Sequence, residues 1–350
     1  MTSDPIKMRI LVFEFVTGGG LAGRAVPRSL AREGLAMRTA LVDDLATIKG
    51  HEIVMTTDTR FVRPVPHNVD LVPIPTSETG ATATIDALVN ASDAVWLIAP
   101  ETNRCLERLA ARIERQGKAL MGPSAAAVRR AADKSRLPGL LARAGIEHPE
   151  TAVISAGSNA RAAATRIGYP VVVKPARGAG CGGVRLARGP RELGVAIAEA
   201  HRANGTGPLV MQRFVVGRAA SVSLIADGHR AVPMAVSAQR VTAAAGLSYH
   251  GGSTPFDHPL AEAAALAASR TCAAIPGLRG YVGVDLVLTS SAPVVIEVNP
   301  RLTMSYLGLR AVLEENVAAL ALEACHGRLP GRPVARRHAR FTAAGRVASS

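Results

Sequence analysis

Aromatic residues are scarce, at 3% of the 350-residue chain with a single tryptophan. A stacking platform for single-stranded nucleic acid is therefore poorly supplied. No apolar run approaches the roughly 18 residues that would span a bilayer, which argues against a membrane partner. The N-terminal stretch MTSDPIKMRILVFEF turns acidic after a few apolar residues and lacks a cleavable signal pattern. Cysteine is limited to Cys105, Cys181, Cys272 and Cys325, with no CxxC and no metal-ligand spacing, a usage that fits a reducing cytoplasm. Acidic residues are outnumbered, 27 Asp and Glu against 41 Lys and Arg, for a formal net charge of +14. That excess invites a nucleic-acid reading. The arginines are scattered, however, apart from the C-terminal cluster GRPVARRHAR, and a cationic surface equally gathers small anionic substrates. No nucleic-acid partner is expected.

What remains is a chain 48% hydrophobic and 19% charged, composed like a folded globular protein and long enough for two or three cores. The first 120 residues read as a doubly wound α/β domain. RILVFEF is an apolar strand, followed by TGGGLAG, then MRTALV as a second strand ending at Asp43 and Asp44. HEIVMTT, DLVPIP and DAVWLIAP continue the strands, and ETNRCLERLAARIERQG has helical periodicity. Gly18, Gly20 and Gly23 match G-x-G-x-x-G, with an acid at about the distance a dinucleotide fold needs. A nicotinamide-dependent oxidoreductase is thus a competing reading. Glu14 and Glu101 fall at carboxyl ends of strands, where α/β domains bind ligands. Each could hold a cationic group or be a solvated loop acid.

After residue 120 the pattern becomes α+β. Two helical segments flank Asp133-Lys134. A buried strand, YPVVVKP, then delivers Lys174 to a loop holding Gly178, Gly180, Gly182 and Gly183. Glycines let successive backbone N–H groups converge on an anion. The loop is not a Walker A motif, which wants Gly-Lys-Ser/Thr opening a helix. LVMQRFVVG is the next strand, SVSLIADG and HRAVPMAVS form a hairpin, and AQRVTAAAGLSYHGGSTPFDHP reads as a mobile stretch.

The most informative stretch is YVGVDLVLTSSAPVVIEVNPR, residues 281–301, read as two strands joined by a turn. Folding it about Ser291 sets Asp285 across from Glu297. Like charges opposite each other in a sheet are unfavourable, so the pair asks for a cation. With the amide oxygen of Asn299 the set is all oxygen, which suits Mg²⁺, or Mn²⁺, completed by phosphate oxygens.

The ordered set of Lys134, Lys174 with its glycine hairpin, the Gln-Arg-Phe-Val strand, and Asp285, Glu297 and Asn299 resembles the ATP-grasp superfamily over residues 120–325. That resemblance implies an N-terminal pre-ATP-grasp domain (1–120) and a two-lobed ATP-grasp domain. The lobes would be a central and lid lobe (121–208) and a C-terminal lobe with the metal site (209–330), followed by a loose basic tail (331–350). It implies an ADP-forming carboxylate–amine ligase acting on small molecules. Lys134, Lys174 and the Gly178–Gly183 loop would meet ATP phosphates, while Gln212, Arg213, Phe214 and Val215 would face adenine. Arg301 would hold an acylphosphate or oxyanion, and Arg240 either reaches the γ-phosphate or is a surface arginine. The ribose-binding Glu of many relatives is missing, since Arg218 and Ala219 follow Gly217. A finer resemblance, carried by ILVFEF, SLAREGLAM, LVDDL, IAPET and YHGGSTPF, is to tyramine–glutamate ligases of methanofuran-type cofactor synthesis. It implies that Arg301, Tyr249, His250 and Ser305 lie near the amino-acid carboxylates, with Glu14 and Glu101 near the amine. Another amino-acid ligase of the superfamily, D-alanine–D-alanine-like or polyglutamylating, is the alternative. A homodimer stays open.

Overall fold

The computed structural model describes residues 7–155, 158–178, 180, 182–204, 207–243 and 246–350. Cys181 lies outside them, as do residues 1–6 of the N-terminal stretch.

Five parallel strands form the N-terminal sheet: β1 (Arg9–Glu14), β2 (Glu52–Asp58), β3 (Val69–Ile74), β4 (Ala94–Ile98) and β5 (Ala119–Leu120), in the order β3-β2-β1-β4-β5. Strand β1 is buried on both faces, as parallel sheets require. Ile10 and Val12 point to one core, and Leu11 and Phe13 to another against α2 (Glu78–Asn90) and α3 (Cys105–Arg115). The strand order reverses between the parallel strands β1 and β4, where Glu14 ends β1 and Glu101 follows β4.

One sequence expectation fails here. MRTALV is not a strand but lies within helix α1 (Arg28–Ala46). Ala31, Gly34, Met37, Leu41 and Leu45 recur at helical spacing and are buried, and this longer period overrides the local β preference of Thr and Val. Asp44 accordingly ends no strand; it accepts hydrogen bonds from Tyr306 (2.6 Å) and Arg310 (2.6 Å). The acid that does close the second strand, Asp58, is bound by the Arg60 side chain and backbone. The glycine turn is filled by its own chain: a Cβ on Gly20 would lie 2.2 Å from the Phe15 ring. The acids and the glycine turn that suggested a dinucleotide are thus engaged by the protein's own chain.

The next sheet is small and antiparallel, ordered β6 (Thr151–Ile154), β9 (Leu209–Arg213), β7 (Val171–Pro175) and β8 (Arg185–Ala187). Alternation divides its faces. Val171, Val173, Leu209 and Met211 pack with α6 (Ala160–Ile167) and α7 (Pro190–Asn204), which leaves Val172, Lys174, Val210 and Gln212 on the opposite face. Because β9 belongs to this sheet, the chain changes lobes between Arg213 and Arg218, beyond the expected boundary at 208.

Seven antiparallel strands build the large sheet: β14 (Pro293–Asn299), β13 (Arg279–Leu288), β10 (Arg218–Asp227), β11 (Ala231–Ala243), β12 (Leu247–Thr254), β15 (Ala339–Thr342) and β16 (Val347–Ser349). Helices α4 (Ala125–Ala131), α5 (Leu137–Arg143) and α8 (Ala261–Ala273) share a core with one face. Helices α9 (Ser305–Val312) and α10 (Val317–Cys325) fuse the other face to the α1 side of the N-terminal sheet.

Two further expectations are corrected by this sheet. The stretch read as mobile is the β11–β12 hairpin, with only residues 244 and 245 of its turn outside the described set. The end of the chain is not a loose tail: β15 pairs with β12, and Phe341 is 2% exposed. Gly251, which looked like a loop signal, marks a close approach instead, since a Cβ there would lie 2.0 Å from the Phe341 carbonyl oxygen. Phe341→Ala is therefore expected to destabilise the fold by about 3–5 kcal/mol, measured by denaturant unfolding; a truly loose tail would give no change.

Candidate active site

The hairpin β13–β14 pairs Asp285 with Glu297 and Gly283 with Asn299, as the sequence suggested. A bulge makes this possible. Near the turn Leu288 faces Pro293 and Leu286 faces Val295, and the register then slips by one residue at Ile296. Without the slip Asp285 would face Ile296. The bulge also puts Val295 and Val298, three apart, into the core beside Val284 and Leu286.

Asp285 accepts hydrogen bonds from Gln239 Nε2 (2.9 Å) and Asn299 Nδ2 (3.0 Å). Burial, and then the Glu297 charge, push its pKa up to about 6, against hydrogen bonds from Ser221, Asn299 and Gln239. Burial also penalises the Glu297 carboxylate, but Lys134, Lys174 and Arg301 outweigh it and hold that pKa below the usual range. Lys134, in the break between α4 and α5, is buried with its Nζ 3.3 Å from Glu297 Oε2. The same Nζ donates to the Gly178 carbonyl (2.9 Å), joining the β13–β14 hairpin to the glycine loop. Lys174 is buried on the open face of β7. Gly180 and Gly183 hold φ of 62° and 73° in the turn that includes Gly182.

Among the described residues no three His, Cys, Asp or Glu side chains gather as a self-sufficient metal site. A cation at Asp285 and Glu297 would therefore draw on Asn299 and on ligand oxygens, which fits a hard ion such as Mg²⁺.

Beside this charged cluster lies an apolar one. Val172, Val184 and Leu186 are buried together, with Phe214 and Leu247 against them. Phe214 donates its N–H to Pro170, and Val215 is half-buried. Gln212 is tied back to Thr151 (3.0 Å) and the exposed Arg213 to Glu150 (3.0 Å). Leu247 was not foreseen; it comes from the large sheet and so brings both lobes to one apolar surface. Gln239 and Ser221 were also missed, although a polar residue inside the apolar run SVSLIA was a usable signal.

Arg301, directly after the hairpin, is half-buried against the buried Glu101, with Nε 2.9 Å from Oε1 and Nη2 donating to Oε2 (3.1 Å). Its Nη1 donates to the Leu302 carbonyl. Glu101 thus already holds a cation of its own chain. Glu14 is 2% exposed, and its carboxylate accepts from Val16 and Thr17 backbone N–H groups and the Thr17 hydroxyl. Burial raises its pKa despite these bonds. Glu14 therefore stabilises the turn after β1. Arg240 is exposed and donates to the His250 carbonyl (3.0 Å), and the His250 ring meets Thr242 (2.9 Å). Tyr249 pairs with Val241 on the same hairpin, and Ser305 opens α9 with 2% exposure. The structure therefore gathers Asp285, Glu297, Asn299, Lys134, Lys174 and Gly178, with Arg301 within electrostatic reach. It does not gather Glu14 with them, and Arg240 and His250 bond to their own hairpin.

Comparison with known proteins gives the same architecture. An ATP-grasp domain profile matches residues 131–305, and a pre ATP-grasp 3 domain profile matches residues 51–128. An ATP-grasp superfamily protein from Archaeoglobus fulgidus is 23% identical, with 95% of this chain and 92% of that one aligned at a TM-score of 0.69. Biotin carboxylase from Campylobacter jejuni, in a complex with β-γ-ATP, is 18% identical over 95% and 74% of the two chains, at 0.73. D-alanine–D-alanine ligase from Bacillus anthracis, complexed with ATP, is 16% identical over 91% and 96%, at 0.63. No helix among the described residues is long and apolar enough to cross a membrane. In sequence and in fold the chain belongs to the ATP-grasp superfamily, with a pre-ATP-grasp domain ahead of its ATP-grasp domain.

Proposed function

We propose that the protein is an ATP-dependent, ADP-forming carboxylate–amine ligase, and that it joins glutamate to tyramine or a tyrosine-like amine. The observation that carries the reaction class is the half-buried Asp285–Glu297 pair, linked through Lys134 to the glycine loop. Adenine would lie on Val172, Val184, Leu186, Phe214 and Leu247. The phosphates would lie against Lys134, Lys174 and the loop N–H groups. Asp285, Glu297 and Asn299 would hold Mg²⁺, which supplies charge neutralisation for the phosphates.

A substrate carboxylate oxygen attacks the γ-phosphorus, the bond to the ADP oxygen breaks, and an acylphosphate forms. Lys134 and Lys174 offset charge on the transferring group, so this chain's part is mostly positioning and electrostatics. The neutral amine then adds to the acyl carbon, phosphate leaves, and the nitrogen loses a proton. Arg301 donates one N–H from Nη1 to the Leu302 carbonyl and one from Nη2 to Glu101, which leaves the second N–H of each Nη for the acylphosphate or the oxyanion. Loop closure would keep water from the acylphosphate.

The choice of glutamate and an aromatic amine rests on the sequence resemblance. Purified protein given ATP, Mg²⁺, glutamate and tyramine or tyrosine should release ADP only when the amine is present, with a glutamyl-amine seen by mass spectrometry. Activity on D-alanine alone would move the substrate assignment to another ligase of the superfamily.

A further inference from the structure

The segment from the end of β4 into the first turn of α3 carries two buried carboxylates, and each grips an arginine from a different part of the ATP-grasp domain. Glu101 holds Arg301, which follows the metal hairpin. Glu107, 9% exposed, holds Arg177 (3.4 Å), which stands at the base of the glycine loop. Arg177 is fixed on its other side by Asp133 (2.8 Å). Its neighbours are gripped as well: Ala176 O accepts the Lys134 backbone N–H (2.9 Å), and Gly178 O accepts Lys134 Nζ (2.9 Å). The loop base therefore cannot shift without carrying Arg177 and Glu107 along.

The backbone joining the two carboxylates is strained. Asn103 and Arg104, at φ 52° and 58°, are the only non-glycine residues with positive φ among the described residues. Residues with a Cβ avoid this region, and it persists where the surroundings over-determine it. Here the surroundings are ion pairs, with Arg104 also bound twice to Glu107 (2.8 and 2.5 Å). Both carboxylates are buried, so losing either arginine partner would leave an uncompensated charge.

We infer that residues 101–107 couple the two halves of the active site, transmitting the state of the glycine loop to Arg301. Glu107 is then a positioning residue for Arg177, and Glu101 for Arg301. The inference rests on the ATP-dependent reading. It adds that the pre-ATP-grasp domain takes part in the reaction by making the arrangement at the acyl-transfer arginine depend on nucleotide.

Hydrogen exchange of the 101–107 amides, with and without Mg²⁺ and a non-hydrolysable ATP analogue, tests this on the full chain. In the wild type, bound nucleotide should slow exchange there by about fivefold or more, the scale of ordinary coupling between sites. Glu107→Gln should still bind the analogue by calorimetry yet lose that slowing. Asn103→Gly removes none of these ion pairs and relieves the strained φ. It should melt no lower than the wild type and still show weakened slowing, which a purely structural role would not produce. If nucleotide binds the wild type and exchange at 101–107 does not change, or if both variants keep the full slowing, the coupling is overturned while the ATP reading stands. A wild type that binds no nucleotide with Mg²⁺ overturns both.

Discussion

Glu297→Gln is expected to lower ATP turnover by about a hundredfold or more, since losing a residue that only hydrogen-bonds to a metal ligand already costs about 10–100-fold. The fold should persist: glutamine keeps the β13–β14 pairing, and it ends the Asp285–Glu297 repulsion. Its cost falls on Lys134, which loses a partner at 3.3 Å. Asp285→Asn should match it in activity while leaving the Lys134 contact. The same pair gives a pH dependence. The folded pKa of Asp285, about 6, lies above its ordinary 3.8. In the ligand-free protein the stability tied to its protonated form is complete below about 3.8 and is lost as pH rises through about 6. Glu297 runs the other way, its contribution present above 4.5 and lost as acid protonates it. Mg²⁺ needs Asp285 ionised, so Mg²⁺-dependent nucleotide binding should weaken by about tenfold per pH unit below about 6. Calorimetry in Asp285→Asn should show that slope flattened. Near-normal ADP release by both variants at saturating Mg²⁺ would remove the metal assignment.

Lys174→Ala should reduce ATP affinity or turnover by at least about tenfold, because a charged hydrogen bond is worth about 1.5–3 kcal/mol. The lysine is 4% exposed and its charge helps hold the Glu297 pKa down, so it already faces the cluster from the small lobe. Lys134→Ala should add a second effect, because Lys134 also ties Glu297 to the Gly178 carbonyl. The loop base then keeps the Arg177 pairs and the backbone bond from residue 134 to Ala176 but loses its side-chain tie to Glu297, and the ratio of amine-independent to amine-dependent ADP release should rise. Unchanged affinity and rate in Lys174→Ala would place that side chain outside the phosphate path.

The pairing of Asp285 with Glu297 was legible in the sequence because a hairpin has a fixed period and a recognisable turn. The bulge at Ile296 was not, since no residue type there demands it, and the pairing was right only because the slip restores the register on the site side. Lys134 and Lys174 could be picked out by their place beside a helix break and a glycine turn. Their meeting with Glu297 spans more than a hundred residues, and no local pattern reports such a contact. The Glu101–Arg301 pair lies farther apart still, at 200 residues. MRTALV failed because six residues suit either period, and only the full length of α1 decides between them. The chain end looked loose for a similar reason: one aromatic among arginines gives no sign of its partner strand, and the glycines of β12 that admit it read as a loop.

Calorimetric titration of the purified protein with ATP and, in parallel, with NAD tests the central claim most directly. ATP should bind one site per chain, more tightly with Mg²⁺ than without, and Glu297→Gln should lose that Mg²⁺ enhancement, while NAD gives no heat. Binding of NAD, or ATP binding indifferent to both Mg²⁺ and Glu297, would contradict the assignment of the Asp285–Glu297 pair and the lysines beside it as a Mg²⁺-dependent ATP site.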